Sequence, residues 1–345
     1  MSKISSSFKF SATLIALCAL AACGGGGGDS PAATTPAGGS GAGTSSSATP
    51  FTRADAEAIA GIGFITSELI TLQAQLEQPA LAFFAQGFLS ANAVVGSSGP
   101  TTVGCASSAG LGGGTLSATV TKSGTYAGLK TNDKIDVTYN NCNFGSGIVQ
   151  NGRLAITAQA DYANLGALGA GFKFNYQLSS TNYQVALTTG RFVSNGVQNV
   201  QFDSTVSANY PKLNSTVISA YSYKGFNPAS ATTSSLEYSL NTGVALSSQL
   251  TSAGASYSST VDGSVGLTVA SNSVALAYTT PTPITGAVVS GRFIPAAGVL
   301  RVKETTANLQ TESTVQGAMV QVKADTNRDG ILDLTFSTTY SLLTN

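Results

Sequence analysis

The sequence predicts an all-β protein, mainly antiparallel, built as a large curved sheet or flattened barrel with an N-terminal helical segment packed on it. Three observations carry this. From about Thr115 onward, apolar residues alternate with Thr, Ser, Gln and Asn, the period of strands with one wet face. Before that point, residues 51–92 switch to steps of three and four, the period of a helix. Gly- and Asn-rich breaks divide the alternating part into roughly 12 to 16 runs with no helical interruption, so residues 93–345 read as one antiparallel β domain.

At the start of the chain, Lys3 and Lys9 precede an apolar run from about Phe10 to Leu20 that ends in Leu20-Ala21-Ala22-Cys23. A basic region, an apolar stretch too short to span a bilayer as a helix, and small residues at its end describe a targeting segment over residues 1–22. An ordinary secretory leader shares the first two features. The Leu-Ala-Ala-Cys ending resembles the lipobox of Gram-negative bacterial lipoproteins, and the resemblance implies cleavage before Cys23, lipidation of that cysteine and anchoring to a membrane through it. With Gly24 rather than Asp in the next position, it further implies passage to the cell outer membrane, on its periplasmic or its surface face.

Residues 23–50 contain the anchor cysteine and then "GGGGGDSPAATTPAGGSGAGTSSSATP", which has almost nothing apolar to bury. As a Gly-rich coil it spans roughly 30 Å, enough to hold a domain clear of lipid headgroups. Its glycine run lacks the preceding strand and following helix that a phosphate loop needs, and so does Gly110 to Gly114.

The helix opens on Thr52 and Asp55, which resemble a capping box, and continues with Ala58, Ile62, Ile65, Leu69, Leu72 and Leu76. Pro79 is expected to end or kink it near residue 77. A second short helical piece then carries Phe83, Phe84 and Phe88, a possible lining for an apolar ligand pocket. The seam is short and lacks flanking charge pairs, which favours docking on the protein's own sheet over a coiled coil.

The mature chain keeps two cysteines besides Cys23, since Cys18 leaves with the leader. Cys105 and Cys142 in an oxidising compartment read as one disulfide. Without any His, two cysteines cannot complete a zinc site.

Among the strands, "RLAITAQAD", "YQVALTT", "LEYSLN" and "VALAY" show the alternation best. A membrane-spanning barrel also alternates, but the chain has no Trp, few aromatics for girdles, and ends on Asn345.

Near the end, Asp325, Asn327, Asp329, Gly330 and Asp333 stand between two strand-like runs. Oxygens at alternate residues suit a hard cation, Gly330 permits a sharp turn, and the Ile331 carbonyl can add a backbone ligand. The pattern resembles integrin-type calcium loops, which implies one structural calcium. A plain polar hairpin turn accounts for the same residue types. The tail from "VSGRFIPAAGVLRV" through "TTYSLL" is also similar to the C-terminal strands of Gram-negative lipoproteins to which no activity is attached.

Composition excludes much. After cleavage, loss of Lys3 and Lys9 leaves 14 basic against 16 acidic residues, and charged residues are 9% of the whole chain, so no basic patch for nucleic acid exists. The absence of His removes Ser-His-Asp and Cys-His machinery. Acid pairs such as Glu304 with Glu312, or Asp262 with Glu237, are the carboxylate arrangements left for glycoside hydrolysis, and nothing in the sequence singles them out. The expectation is a non-enzymatic, outer-membrane-anchored lipoprotein with a structural or surface-interaction role. The alternative is a carrier of lipid or a small apolar ligand in a cavity between sheet and helices.

Overall fold

The structure is a computed structural model that describes residues 51–91, 97–105, 112–143, 149–163, 171–187, 190–205, 212–226, 235–251, 256–269, 272–289 and 292–344. Within the first helix, side chains past Thr71 are described only at Ala74. Most of the described residues are antiparallel strand in one large sheet, and two helices lie among them, α1 (Arg53–Ala91) and α2 (Tyr340–Thr344).

The strands are β1 (Ser98–Gly104), β2 (Gly113–Thr121), β3 (Lys134–Asn143), β4 (Val149–Ala158), β5 (Lys173–Leu187), β6 (Gly190–Asp203), β7 (Lys212–Phe226) and β8 (Ser235–Leu240). After them come β9 (Ala245–Thr251), β10 (Ser256–Val269), β11 (Asn272–Val289), β12 (Arg292–Glu304), β13 (Leu309–Gln316), β14 (Met319–Asp325) and β15 (Leu334–Thr339). Sequence neighbours pair almost throughout, in a 15-stranded meander. β8 and β9 share one place in it, because β8 pairs with the far end of β7 and β9 with its near end, while β10 lies along both. The break between them is Asn241 to Val244, where the Gly243 N–H donates to the Val217 carbonyl and the Val217 N–H to that of Val244, each at 2.9 Å. No pairing joins β1 to β15 among the described residues.

Alternation places the apolar side chains on one face. Two buried clusters result. One spans β2 to β7, with Ile135, Leu154, Phe174, Tyr176 and Phe202 essentially inaccessible. The other joins α1 and α2 with β7 to β15, through residues such as Ile59, Ile70, Tyr238, Val265, Leu300 and Val322.

The helix starts as its sequence indicates. The Thr52 N–H donates to Asp55 Oδ2 at 2.8 Å and the Asp55 N–H to Thr52 Oγ1 at 3.3 Å, a reciprocal cap. It does not end near residue 77. It runs 39 residues through Pro79 to Ala91. Proline removes one intrahelical hydrogen bond, and the residues flanking it, Leu76 to Gln78 and Ala80 to Ala82, include strong helix formers that sustain the turns on either side. Burial is not confined to the expected seam either. Ala56, Ile59, Ala60, Phe64, Ile70 and Ala74 are buried with Ala58, Ile62 and Leu69, while Ile65 is only partly so. Burial on more than one face over residues 56–71, with Thr66, Ser67 and Thr71 buried as well, marks a helix enclosed on several sides rather than one resting on a surface.

Candidate functional site

Two places gather chemistry, the β14–β15 hairpin and the seam where α1 meets the strands. In the hairpin, Asp325 at the end of β14 is buried and acts as the hub. Its Oδ1 accepts from the N–H groups of Arg328 at 2.6 Å and Asp329 at 3.2 Å, and its Oδ2 from Gly330 at 2.7 Å. Asn327 Oδ1 accepts from the Asp329 N–H at 3.0 Å, and Asp329 Oδ1 from the Ile331 N–H at 2.8 Å. Thr326 closes the loop, donating its N–H at 2.9 Å and its hydroxyl at 2.8 Å to Asp333 Oδ1. These bonds hold the Asp333 carboxyl below its ordinary range, the N–H bond foremost. Gly330 has φ +89°, a left-handed conformation that favours glycine. From the neighbouring turn, Asn308 Nδ2 donates to the Arg328 carbonyl at 3.3 Å.

The donor set of Asp325, Asn327, Asp329, Asp333 and the Ile331 carbonyl is chemically right for calcium. Asp325 Oδ2 and Asp329 Oδ1 each keep a second acceptor position after one N–H bond, whereas Asp325 Oδ1 and Asp333 Oδ1 each already accept two hydrogen bonds. The arrangement is not a ready-made cage, however, because among the described residues no three acidic or thiol side chains converge as a metal group. The loop closes on its own N–H groups.

The other calls fall as follows. Cys105 and Cys142 form the disulfide, fully buried, with Cα atoms 5.2 Å apart; it ties the end of β1 to β3 across β2. Cys23 lies outside the described residues. Phe83, Phe84 and Phe88 are on α1, but their side chains are outside those described. The carboxylate pairs are not assembled. Glu304 points inward and accepts from the N–H groups of Thr306 and Ala307, whereas Glu312, on the opposite face, meets Arg301 at 2.7 Å and Lys323 at 3.7 Å. Asp262 accepts from the Thr280 N–H at 2.8 Å, and Glu237 lies beside Thr268, about 20 Å further along β10.

The α1 seam was not anticipated from sequence. Glu68 sits part-buried there, its Oε1 accepting from the Phe293 N–H at 3.3 Å and its Oε2 from the Tyr340 hydroxyl at 3.2 Å. One carboxylate thereby links α1, β12 and α2. Rings enclose it, with Tyr257 edge-on to Phe293 at 4.7 Å and Tyr340 edge-on to Phe64 at 5.6 Å. Burial, with the nearby Glu68 charge, pushes the Tyr257 hydroxyl well above its ordinary pKa. Ser67, Thr71, Ser259, Ile284 and Pro295 complete the lining of a cleft whose interior volume is only about 10 Å³, room for one water. The available signal was a lone acid between Glu57 and Glu77 in a mainly apolar helical run.

Comparison with protein-family models, with curated proteins and with solved structures found no match. No helix among the described residues is long and apolar enough to cross a membrane, which leaves strands unaddressed.

Proposed function

We propose that this chain is an outer-membrane lipoprotein, held by acyl chains on Cys23, whose β domain has a structural or surface-interaction role and performs no catalysis. In this reading the sheet curves around α1, which serves as an internal strut. Burial on more than one face of the helix supports this, as does the close approach of Gly63 to β12, where an added Cβ would lie 2.5 Å from Val302 Cγ2. The β14–β15 hairpin takes one calcium through Asp325, Asn327, Asp329, Asp333 and the Ile331 carbonyl, as a staple that saturates the ion.

The observation that carries the reading, among the described residues, is the filled seam at Glu68. A carrier needs an enclosed space of several hundred Å³, and the cleft between α1 and the strands at Glu68 has about 10 Å³. Native mass spectrometry of the membrane-extracted chain, purified without chelator, tests every part together. The expected mass is the chain from Cys23 with covalent acyl groups, two hydrogens fewer for the disulfide, and one calcium. A further lipid that departs on mild activation would establish the carrier instead. A free Cys23, or a start elsewhere, would remove the anchor.

A further inference from the structure

The cleft at Glu68 follows from the periods of the elements around it. Phe64, Ser67, Glu68 and Thr71 stand at positions i, i+3, i+4 and i+7 of α1 and share one helix face. Tyr257 and Ser259 are alternate, buried residues of β10, and Phe293 and Pro295 alternate, buried residues of β12. Between those strands Gly286 of β11 pairs with both Tyr257 and Pro295, and it brings no side chain to fill the space between them.

Two observations distinguish this cleft from a packing gap. Ser67 and Ser259 line it at only 7% and 4% exposure, yet neither hydroxyl makes a hydrogen bond among the described residues. A buried hydroxyl left without a partner costs about 1–3 kcal/mol. Beside them stands the Glu68 carboxylate, whose charge is felt at the Tyr257 hydroxyl. Acceptors and a negative charge therefore converge on a space of about 10 Å³ walled by aromatic rings.

The chemistry of an occupant follows. A water fits the volume but carries no charge to answer Glu68. A divalent metal ion takes six or more oxygens, where the wall here is largely rings. A trimethylated ammonium is several times too large. A primary ammonium group is the size of a water, donates three hydrogen bonds and is attracted to aromatic faces. We infer that this cleft takes the primary ammonium group of a small alkylamine, with Glu68 as its counter-charge, Ser67 and Ser259 as acceptors, and the rings of Tyr257 and Phe293 beside its first methylene. A free amine and an ethanolamine lipid headgroup both carry that group, and only the second source depends on the membrane anchor proposed above.

Saturation-transfer NMR tests it on the full chain in a nonionic detergent. The probes are n-propylamine, its neutral counterpart n-propanol, and N,N,N-trimethylpropylammonium. Saturation of n-propylamine alone is expected, strongest at the methylene next to nitrogen. Glu68→Gln keeps the shape, removes the charge and is expected to weaken binding about tenfold or more. Should that variant melt earlier than the parent, Ser259→Ala removes an acceptor that bonds nothing in the fold, and is expected to weaken binding about threefold to tenfold. No saturation of n-propylamine overturns the inference, as does equal saturation of n-propanol, or binding that survives both substitutions. Displacement of n-propylamine by an equal concentration of sodium chloride also overturns it, by making an inorganic ion the occupant. Displacement by vesicles containing phosphatidylethanolamine, but not by phosphatidylcholine alone, assigns the headgroup as the source; displacement by soluble ethanolamine only assigns the free amine. Neither the mass of the anchored chain nor its calcium enters these readings, so failure here is separable from failure of the proposed function.

Discussion

Glu68 shows how a single side chain can organise distant parts of this chain. A carboxylate on α1 that accepts from both the Phe293 N–H and the Tyr340 hydroxyl holds residues far apart in sequence around one cleft. Changing Tyr340→Phe removes one donor and is expected to cost about 1 kcal/mol, read from the urea midpoint. Gly61 sets the approach of α2, since a Cβ there would lie 2.1 Å from the Leu343 carbonyl oxygen. Gly61→Ala must therefore displace α2, with an expected loss of about 1–3 kcal/mol in the same assay. In the hairpin, Asp333 has its folded pKa held below the ordinary 3.8 by Thr326. Its contribution is present above the unfolded pKa and is lost as pH falls through the folded value, so the hairpin loosens only below about pH 4. Replacing Thr326→Val keeps the N–H bond, removes the hydroxyl and is expected to raise the Asp333 pKa part-way, visible in a carboxyl NMR titration.

Strands differ sharply in what holds them. β1 is exposed along residues 99–104 on both faces and contributes no side chain to either core, so its ladder with β2, the Thr102–Ser117 hydroxyl bond, the Ser97 contacts with Lys122 and the adjoining Cys105 bridge retain it. Hydrogen exchange is expected to be fastest in β1 among the strands. The double change C105S/C142S is expected to cost about 3–4 kcal/mol by the chain-entropy relation for a separation of 37 residues, and to release β1 first. At the other edge, β15 is secured by the β14 hairpin and by Arg53 of α1, whose guanidinium lies 4.6 Å from the Phe336 ring centroid.

The whole molecule has two cores but one sheet. β7 crosses between them, placing Leu213 in the first cluster and Val217 and Tyr221 in the second, paired along its length with β6 through a bulge near Val197 and, on its other side, with β9 and then β8. A single cooperative melting transition is expected by circular dichroism and calorimetry, whereas two transitions would mean that the halves fold independently. Buried tyrosines set an alkaline limit. Tyr139, Tyr257 and Tyr278 are all pushed well above the ordinary value of 10 by burial. The folded form keeps them neutral while the unfolded form ionises, so their contribution is complete below pH 10 and declines as pH rises beyond it. Urea midpoints at pH 9, 10 and 11 should fall in that order, with a further step of phenolate absorbance from these three appearing only on unfolding.

Local order was legible in the chain because it depends on near neighbours. The alternation of Leu154, Ile156 and Ala158, the Thr52–Asp55 cap and the Asp325-to-Asp333 turn each follow from residues a few positions apart, and each is found in place. The pairing of Cys105 with Cys142 was legible too, because only two cysteines remained once Cys18 and Cys23 were set aside. The helix's continuation past Pro79 was not, because a proline's local penalty can be outweighed by good helix formers on either side of it. Glu68 was equally silent, since its partners lie 225 and 272 residues away and only the folded sheet brings them to it. The alignment of outward residues across strands, such as Gln201 between Asn175 and Asn214, belongs with these. Each Asn and Gln was visible as a strand's wet side, but which of them stand abreast is decided by register, a property of paired strands that no single strand contains.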